Sequence, residues 1–284
     1  MTKIVIENPK GESLVAELLI LYKTFKNINL EDNVEFDLSE LNWIHPFLLL
    51  PLIAFSKENK KIKCDCKNSE ILKYLQMVKF PEGINSVDDF EIMIAKSKTY
   101  IPISVLKKEK GVEREKLETL FSQLVYKSLG SMKGANNAVY YPISELVGNI
   151  FEHSRKDTGF IFGQYYPKKE YLDICIVDCG RGLKQAYIDE QKKNFDHGQA
   201  IEEVLKGNST KPDKERGYGV RTSKRVVCEA LGGQFVLISG DSALISNKSE
   251  QQLVSLPGFN WQGVIIAYRI PKPTGPVDIG QYLE

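Results

Sequence analysis

Apolar and polar positions along this chain change period several times, and each change predicts an element. Residues 1–6, Met-Thr-Lys-Ile-Val-Ile, read as a first strand, and residues 34–38, Val-Glu-Phe-Asp-Leu, alternate with the period of two of a strand. Residues 46–57 are an apolar run opened by Pro46, a residue suited to a first helical turn, so a helix is expected there. A short strand over 61–66 and a helix over 69–78 follow. The helix places Ile71, Leu72, Leu75 and Val78 on one face, with Ser69 as its candidate cap. Strands alternating with helices predict a small α/β unit over residues 1–95.

Residues 81–89 are rich in turn formers and mark the expected boundary, and residues 100–105 read as a strand or an extended connector. An amphipathic helix over 112–129 carries Leu117, Leu120, Phe121, Leu124 and Val125, and a loop over 130–137 leads to a second helix over 138–154. Pro142 fits best in the first turn of that helix. Residues 170–177 form a buried-strand pattern, residues 220–231 an apolar helix, and residues 231–238 a helix end followed by a strand. The last strand is expected over 263–271. Between Leu183 and Gly217 lies a long polar region, expected to be a loop.

At 284 residues the chain has room for one or two domains. Its formal charge of +1, without a dense Lys/Arg stripe, speaks against a nucleic-acid surface. The five cysteines form no CxxC pair, and three lie in apolar patterns, as expected of reduced thiols in the cytoplasm. The longest apolar stretch, 46–55, is far shorter than the ~20 residues that span a bilayer, so no membrane segment is expected.

Three segments carry candidate chemistry. In Glu145-Leu-Val-Gly-Asn149-Ile-Phe-Glu-His153, helical spacing puts Glu145 and Asn149 on one face, with His153 one turn further on. An amide oxygen together with nucleotide phosphates can hold magnesium, and a carboxylate one turn away can deprotonate a water or hydroxyl. Asp178 ends an apolar strand, where it can accept a hydrogen bond from the amino group of adenine. Gly180 and Gly182 let the backbone turn tightly beside it. Gly217-Tyr218-Gly219-Val220 opens a helix whose unpaired amides can meet phosphate, and Ser209, Thr210 and Lys211 precede it in a candidate lid. Each segment alone has an ordinary structural explanation; their order is what singles them out.

That order and spacing resemble the GHKL superfamily of gyrase B, Hsp90, histidine kinases and MutL. The resemblance covers residues 112–271, and position 153 looks most like the anti-sigma serine-kinase branch. It implies a Bergerat-type α/β sandwich over 112–284, with helices on one face of a mixed sheet and an ATP lid at about 184–217. It also implies Glu145 as catalytic residue and Asn149 as magnesium ligand. Asp178, Gly180 and Gly182 would sit at adenine, with Gly217 and Gly219 at the phosphates. Val264 follows Gly263 where many members have threonine. Residues 241–262 exceed the minimal fold and are a candidate partner or dimer loop, or a hairpin tip.

Residues 36–44, Phe-Asp-Leu-Ser-Glu-Leu-Asn-Trp-Ile, followed by an apolar helix, resemble a STAS-type domain, the fold of anti-sigma-factor antagonists. Here His45-Pro46 stands where such antagonists carry a phosphorylatable Ser or Thr. The expected organisation is therefore a STAS-like unit (1–95), a connector (96–111) and an ATP-binding unit (112–284). The resemblance implies a Mg-ATP hydrolase or a serine/threonine protein kinase acting as a regulatory switch with a protein partner. The alternatives are an ATP-sensing module that works through lid closure alone, and a structural α/β protein without nucleotide.

Overall fold

The structure, a computed structural model, describes residues 2–28, 32–96, 99–130, 132–208 and 218–283. The first part contains β1 (Thr2–Val5), α1 (Leu14–Phe25), β2 (Val34–Asp37), α2 (Pro46–Glu58), β3 (Lys63–Asp65) and α3 (Ser69–Met77). Its three strands form a parallel sheet in the order β1-β2-β3. Pro46 stands in the first turn of α2, as expected, and the helix is buried from Pro46 to Phe55 because it is covered on more than one side. α3 is capped by Asn68 and not by Ser69: the Asn68 side chain accepts from the N–H groups of Glu70 and Ile71.

After α4 (Val87–Lys96), the second part runs β4 (Tyr100–Lys107), α5 (Gly111–Leu129), α6 (Ala135–His153), β5 (Thr158–Tyr166), β6 (Tyr171–Asp178), α7 (Gly182–Gln191), α8 (His197–Leu205), α9 (Gly219–Arg225), β7 (Gln234–Gly240), β8 (Ser242–Ser246), β9 (Gln251–Ser255) and β10 (Trp261–Pro271). Seven strands form one sheet in the order β4-β5-β6-β10-β7-β8-β9, and each pairing in it is antiparallel. The mixed sheet expected above is thus corrected. The tight connections β5–β6, β7–β8 and β8–β9 are hairpins, which force neighbouring strands to run in opposite directions. Residues 241–262 supply the β8–β9 hairpin and extend the sheet.

Helices cover both faces of this sheet: α5 to α9 lie on one face, as expected for that unit, and α1 and α2 of the first part cover the other. Ile174, Ile176, Ile266 and Tyr268 face the core under α5 and α6. Their neighbours Cys175, Val177, Ile265 and Ala267 face a core shared with α1, α2 and β2. Strand residues point alternately to opposite sides, so a strand buried on both is apolar throughout, as 174–177 is. The first part is therefore a layer on the large sheet. The stretch expected as a connector is its edge strand β4, and α4 packs against β4 and α5. Among the described residues no helix is long and apolar enough to cross a membrane.

A charged cluster ties the layers together. Arg269 of β10 donates from Nε and Nη2 to the Asp173 carboxylate of β6 at 2.6 and 2.7 Å, from Nη2 to Glu17 of α1 at 2.8 Å, and from Nη1 to the carbonyl of Glu12. His45, capping α2, lies 3.1 Å from Glu17 and from the Tyr166 hydroxyl. Glu17, Asp173 and Arg269 are all buried. Removing one partner from such a cluster leaves uncompensated charge, which costs about 3–5 kcal/mol. Arg269→Met should therefore lower the unfolding free energy in urea by that order, whereas a surface change such as Lys73→Met should move it by less than about 0.5 kcal/mol.

Candidate functional site

The three segments meet in a cavity of about 360 Å³ between α6, the end of β6 and the starts of α7 and α9. That volume lies in the ~300–1,000 Å³ range of small-molecule sites. Glu145, Asn149, His153, Asp178, Gly182, Gly219 and Val220 all line it. Gly180 lies behind the wall: a Cβ there would stand 2.4 Å from the Ser154 carbonyl, so the turn packs directly on the end of α6. Tyr218 packs on Gly207 and is outside the cavity lining. Ser209, Thr210, Lys211 and Gly217 lie outside the described residues. Of the expected lid, residues 184–208 hold most of α7 and all of α8 in place of a polar loop.

α6 starts three residues earlier than the periodicity suggests, so Pro142 falls inside it and not in its first turn. The start is fixed by Gly134 in the left-handed region, φ +79°, packed so closely on Val277 that a Cβ would clash with its carbonyl. Inside the helix, Glu145 and Asn149 project together toward α9. A Cβ on Gly219 would lie 2.5 Å from Glu145 Oε2 and 3.6 Å from Asn149 Nδ2, so the absence of a side chain at 219 is what admits both groups. Burial, and then the nearby Glu152, raise the Glu145 carboxyl above its usual range. Among the described residues Asn149 Nδ2 is buried without a hydrogen-bond partner. An unpaired buried amide is costly and points to a missing polar partner in the cavity.

Asp178 is buried at the foot of the cavity. Burial pushes its carboxyl up to about 7, against the pull of hydrogen bonds from the backbone N–H groups of Gly180 and Val264. The Gly180 N–H donates to Oδ1 at 2.8 Å. Gly182, at φ +70°, turns the chain into α7, where the Leu183 N–H donates to Ser239 Oγ at 3.0 Å and Ser239 Oγ donates to the Gly263 carbonyl at 3.1 Å. α9 begins at Gly219, and its cap residue Tyr218 offers no side-chain hydrogen bond to the first-turn amides. The expected helix over 220–231 is α9 followed by a wider π turn (Val226–Ala230), in which the Leu231 N–H donates to the carbonyl of Val226.

Sequence reasoning missed several supports. Arg181 donates from Nε to the His153 carbonyl at 2.7 Å and from Nη1 to Asp189 and Glu190, both at 2.9 Å. It thereby locks the turn after β6 to the end of α6 and to α7. Its position between two glycines of the motif was the available signal. Leu237 and Val204, from a strand and a helix far apart in sequence, complete the apolar wall, and no local pattern marks them. Ser239 is likewise visible only once β7 is paired with β10. Comparison of the chain with family models, curated proteins and solved structures finds no match.

The Asp178 carboxyl makes a prediction about pH. Its folded value, about 7, exceeds its ordinary value of 3.8. The folded state therefore holds the proton more tightly, and Asp178 withdraws stability as pH rises through that interval. The stability of the wild type relative to Asp178→Asn should fall between pH 4 and pH 8, by up to about 4 kcal/mol at ~1.36 kcal/mol per pH unit. Paired urea titrations across that range check it; a pH-independent difference would contradict a buried, proton-binding carboxyl.

Proposed function

We propose that this chain binds Mg-ATP in the cavity between α6 and α9 and hydrolyses it, or passes its terminal phosphate to a serine or threonine of a protein partner, as a regulatory switch. The observation that carries the reading is the meeting of Glu145, Asn149, Asp178 and Gly219 in one cavity, with the buried Asn149 amide unpaired. Three sequence segments of GHKL type, each weak alone, supply these groups in the order that superfamily uses. A half-turn of the Asn149 amide exchanges Nδ2 for Oδ1, the atom that magnesium requires. The donor set therefore fits the ion. Bound magnesium would supply positive charge across the phosphate oxygens.

The chain's own groups divide the remaining work. Asp178 accepts a hydrogen bond from the purine amino group, and the apolar wall formed by Ile176, Val264 and Leu183 excludes water from the base. The carboxylate of Glu145 accepts the proton of the attacking hydroxyl or water; its raised pKa makes it a stronger base than an exposed glutamate. Gly219 and Val220 at the start of α9 line the part of the cavity where the anionic end of the nucleotide would lie. His153 lines the same cavity beside Glu152. The first part of the chain, a parallel α/β layer of STAS-like element order, fits a regulatory unit and is carried on the back of the sheet that bears the site.

The test combines binding with turnover. Mg-ATP at 100 times its dissociation constant should stabilise the chain by ~2.7 kcal/mol in a thermal-shift titration. Glu145→Ala should keep that stabilisation while turnover drops by about 10²–10⁴, the usual contribution of a general base. With γ-labelled ATP, free phosphate identifies a hydrolase and a labelled partner a kinase. Tight binding with neither product identifies a sensor that works by closure alone. Unchanged turnover in Glu145→Ala would contradict the role given to that residue.

A further inference from the structure

We propose that Trp261 is a positioning residue that conveys the packing of the first part of the chain to Asp178 and so sets the preference for adenine over guanine. This rests on the ATP-site reading above and adds to it a means by which the N-terminal layer regulates the site. The Trp261 indole Nε1 donates to the backbone carbonyl of Asp178 at 2.9 Å, in a buried contact that spans 83 residues of sequence. The two residues meet at an irregularity of β10, where the register shifts between Trp261 and Val264. At the bulge Gly263 has φ +118°, and a Cβ there would stand 2.2 Å from the Asp178 carbonyl oxygen and 2.8 Å from Oδ1. With so little clearance, a displacement of β10 at this point moves the carboxylate with it.

The opposite side of the indole is held by the N-terminal layer. Phe25, the last residue of α1, packs edge-on against Trp261 with ring centroids 5.6 Å apart, and Phe55 of α2 lies 6.3 Å away. Phe25 and Phe55 also pack on one another, 5.2 Å apart, so both helices grip the indole as one unit. A second link runs parallel to this one: Lys156, just after α6, pairs with Glu58 at the end of α2 at 2.7 Å, and its charge reaches Asp178. α1 and α2 therefore bear on the group that would read the base, although neither lines the cavity.

The chemistry of the base makes the position of Asp178 decisive. Adenine presents an amino donor where guanine presents a carbonyl acceptor, so Asp178 in its ionised form, fixed in place, rewards the first and leaves two acceptors facing each other with the second. Discrimination of this kind depends on hydrogen-bond geometry and fades when the acceptor drifts. Contacts to ribose and phosphate are common to both nucleotides and do not depend on Asp178.

The experiment measures Mg-ATP and Mg-GTP affinities by calorimetry for the full chain and two variants. Trp261→Phe keeps a ring but removes the donor. Phe25→Leu keeps the donor but loosens its grip. Trp261→Phe should weaken ATP about five- to tenfold with GTP unchanged, and Phe25→Leu should reduce the ATP preference in the same direction by less. A general loss of structure would weaken both nucleotides together, so the ratio isolates positioning. If Trp261→Phe does not fold, Phe25→Leu decides: a reduced preference supports the role and an unchanged one overturns it. A wild type that prefers ATP, with variants that keep that preference, overturns the role of Trp261 alone. A wild type that binds neither nucleotide overturns the site reading and this inference with it.

Discussion

Burial of the central sheet on both faces is the constraint from which the rest of the structure follows. β5, β6, β7 and β10 place apolar residues on each side, and neither face can be left to water. α5 and α6 cover one face, and α6 lines the candidate site. α1 and α2 cover the other, so the first part of the chain is an obligatory layer of the fold. Within that second interface sits the Arg269 cluster, in which Arg269, Asp173 and Glu17 pair with one another, His45 lies against Glu17, and the Glu12 carbonyl accepts from Arg269. Such a network has one low-energy arrangement, because any shift of the layers leaves a buried charge unpaired.

The site sits where the two-sided sheet meets α6. The carboxyl end of β6 brings Asp178 to the foot of the cavity, and the turn that follows is fastened to α6 by Arg181 and to β7 by Ser239. These supports fix the polar groups before any ligand arrives, and a preorganised site binds without a large ordering cost. The two unmet demands of the site are the raised carboxyls, Glu145 and Asp178, and the unpaired Asn149 amide. In the proposed reading a purine amino group would pair with Asp178 and a magnesium ion would meet Asn149.

Much of this was legible in the sequence, for reasons that differ by element. The strand 171–178 announces itself as an apolar run and the helix by its period from residue 138 onward, and Glu145 and Asn149 share a face because helical geometry requires it. The unbroken apolar run of 174–177 implied burial but not what would cover its second face. That depended on α1 and α2, more than 100 residues earlier. The antiparallel sheet followed from hairpins whose turns carry no strong signal, such as Asn247–Glu250. Trp261 reads locally as one more aromatic core residue; its hydrogen bond to Asp178 exists only after β6 and β10 pair. α7 and α8 were obscured because their exposed polar faces dominate the composition of 184–208.

A structure determined with a non-hydrolysable ATP analogue and magnesium decides where a nucleotide sits. The purine amino group should lie within hydrogen-bond distance of the Asp178 carboxylate, the metal against Asn149, and Glu145 beside the terminal phosphate. An analogue bound elsewhere on the molecule, or seated in this cavity with its base turned away from Asp178, would contradict this placement.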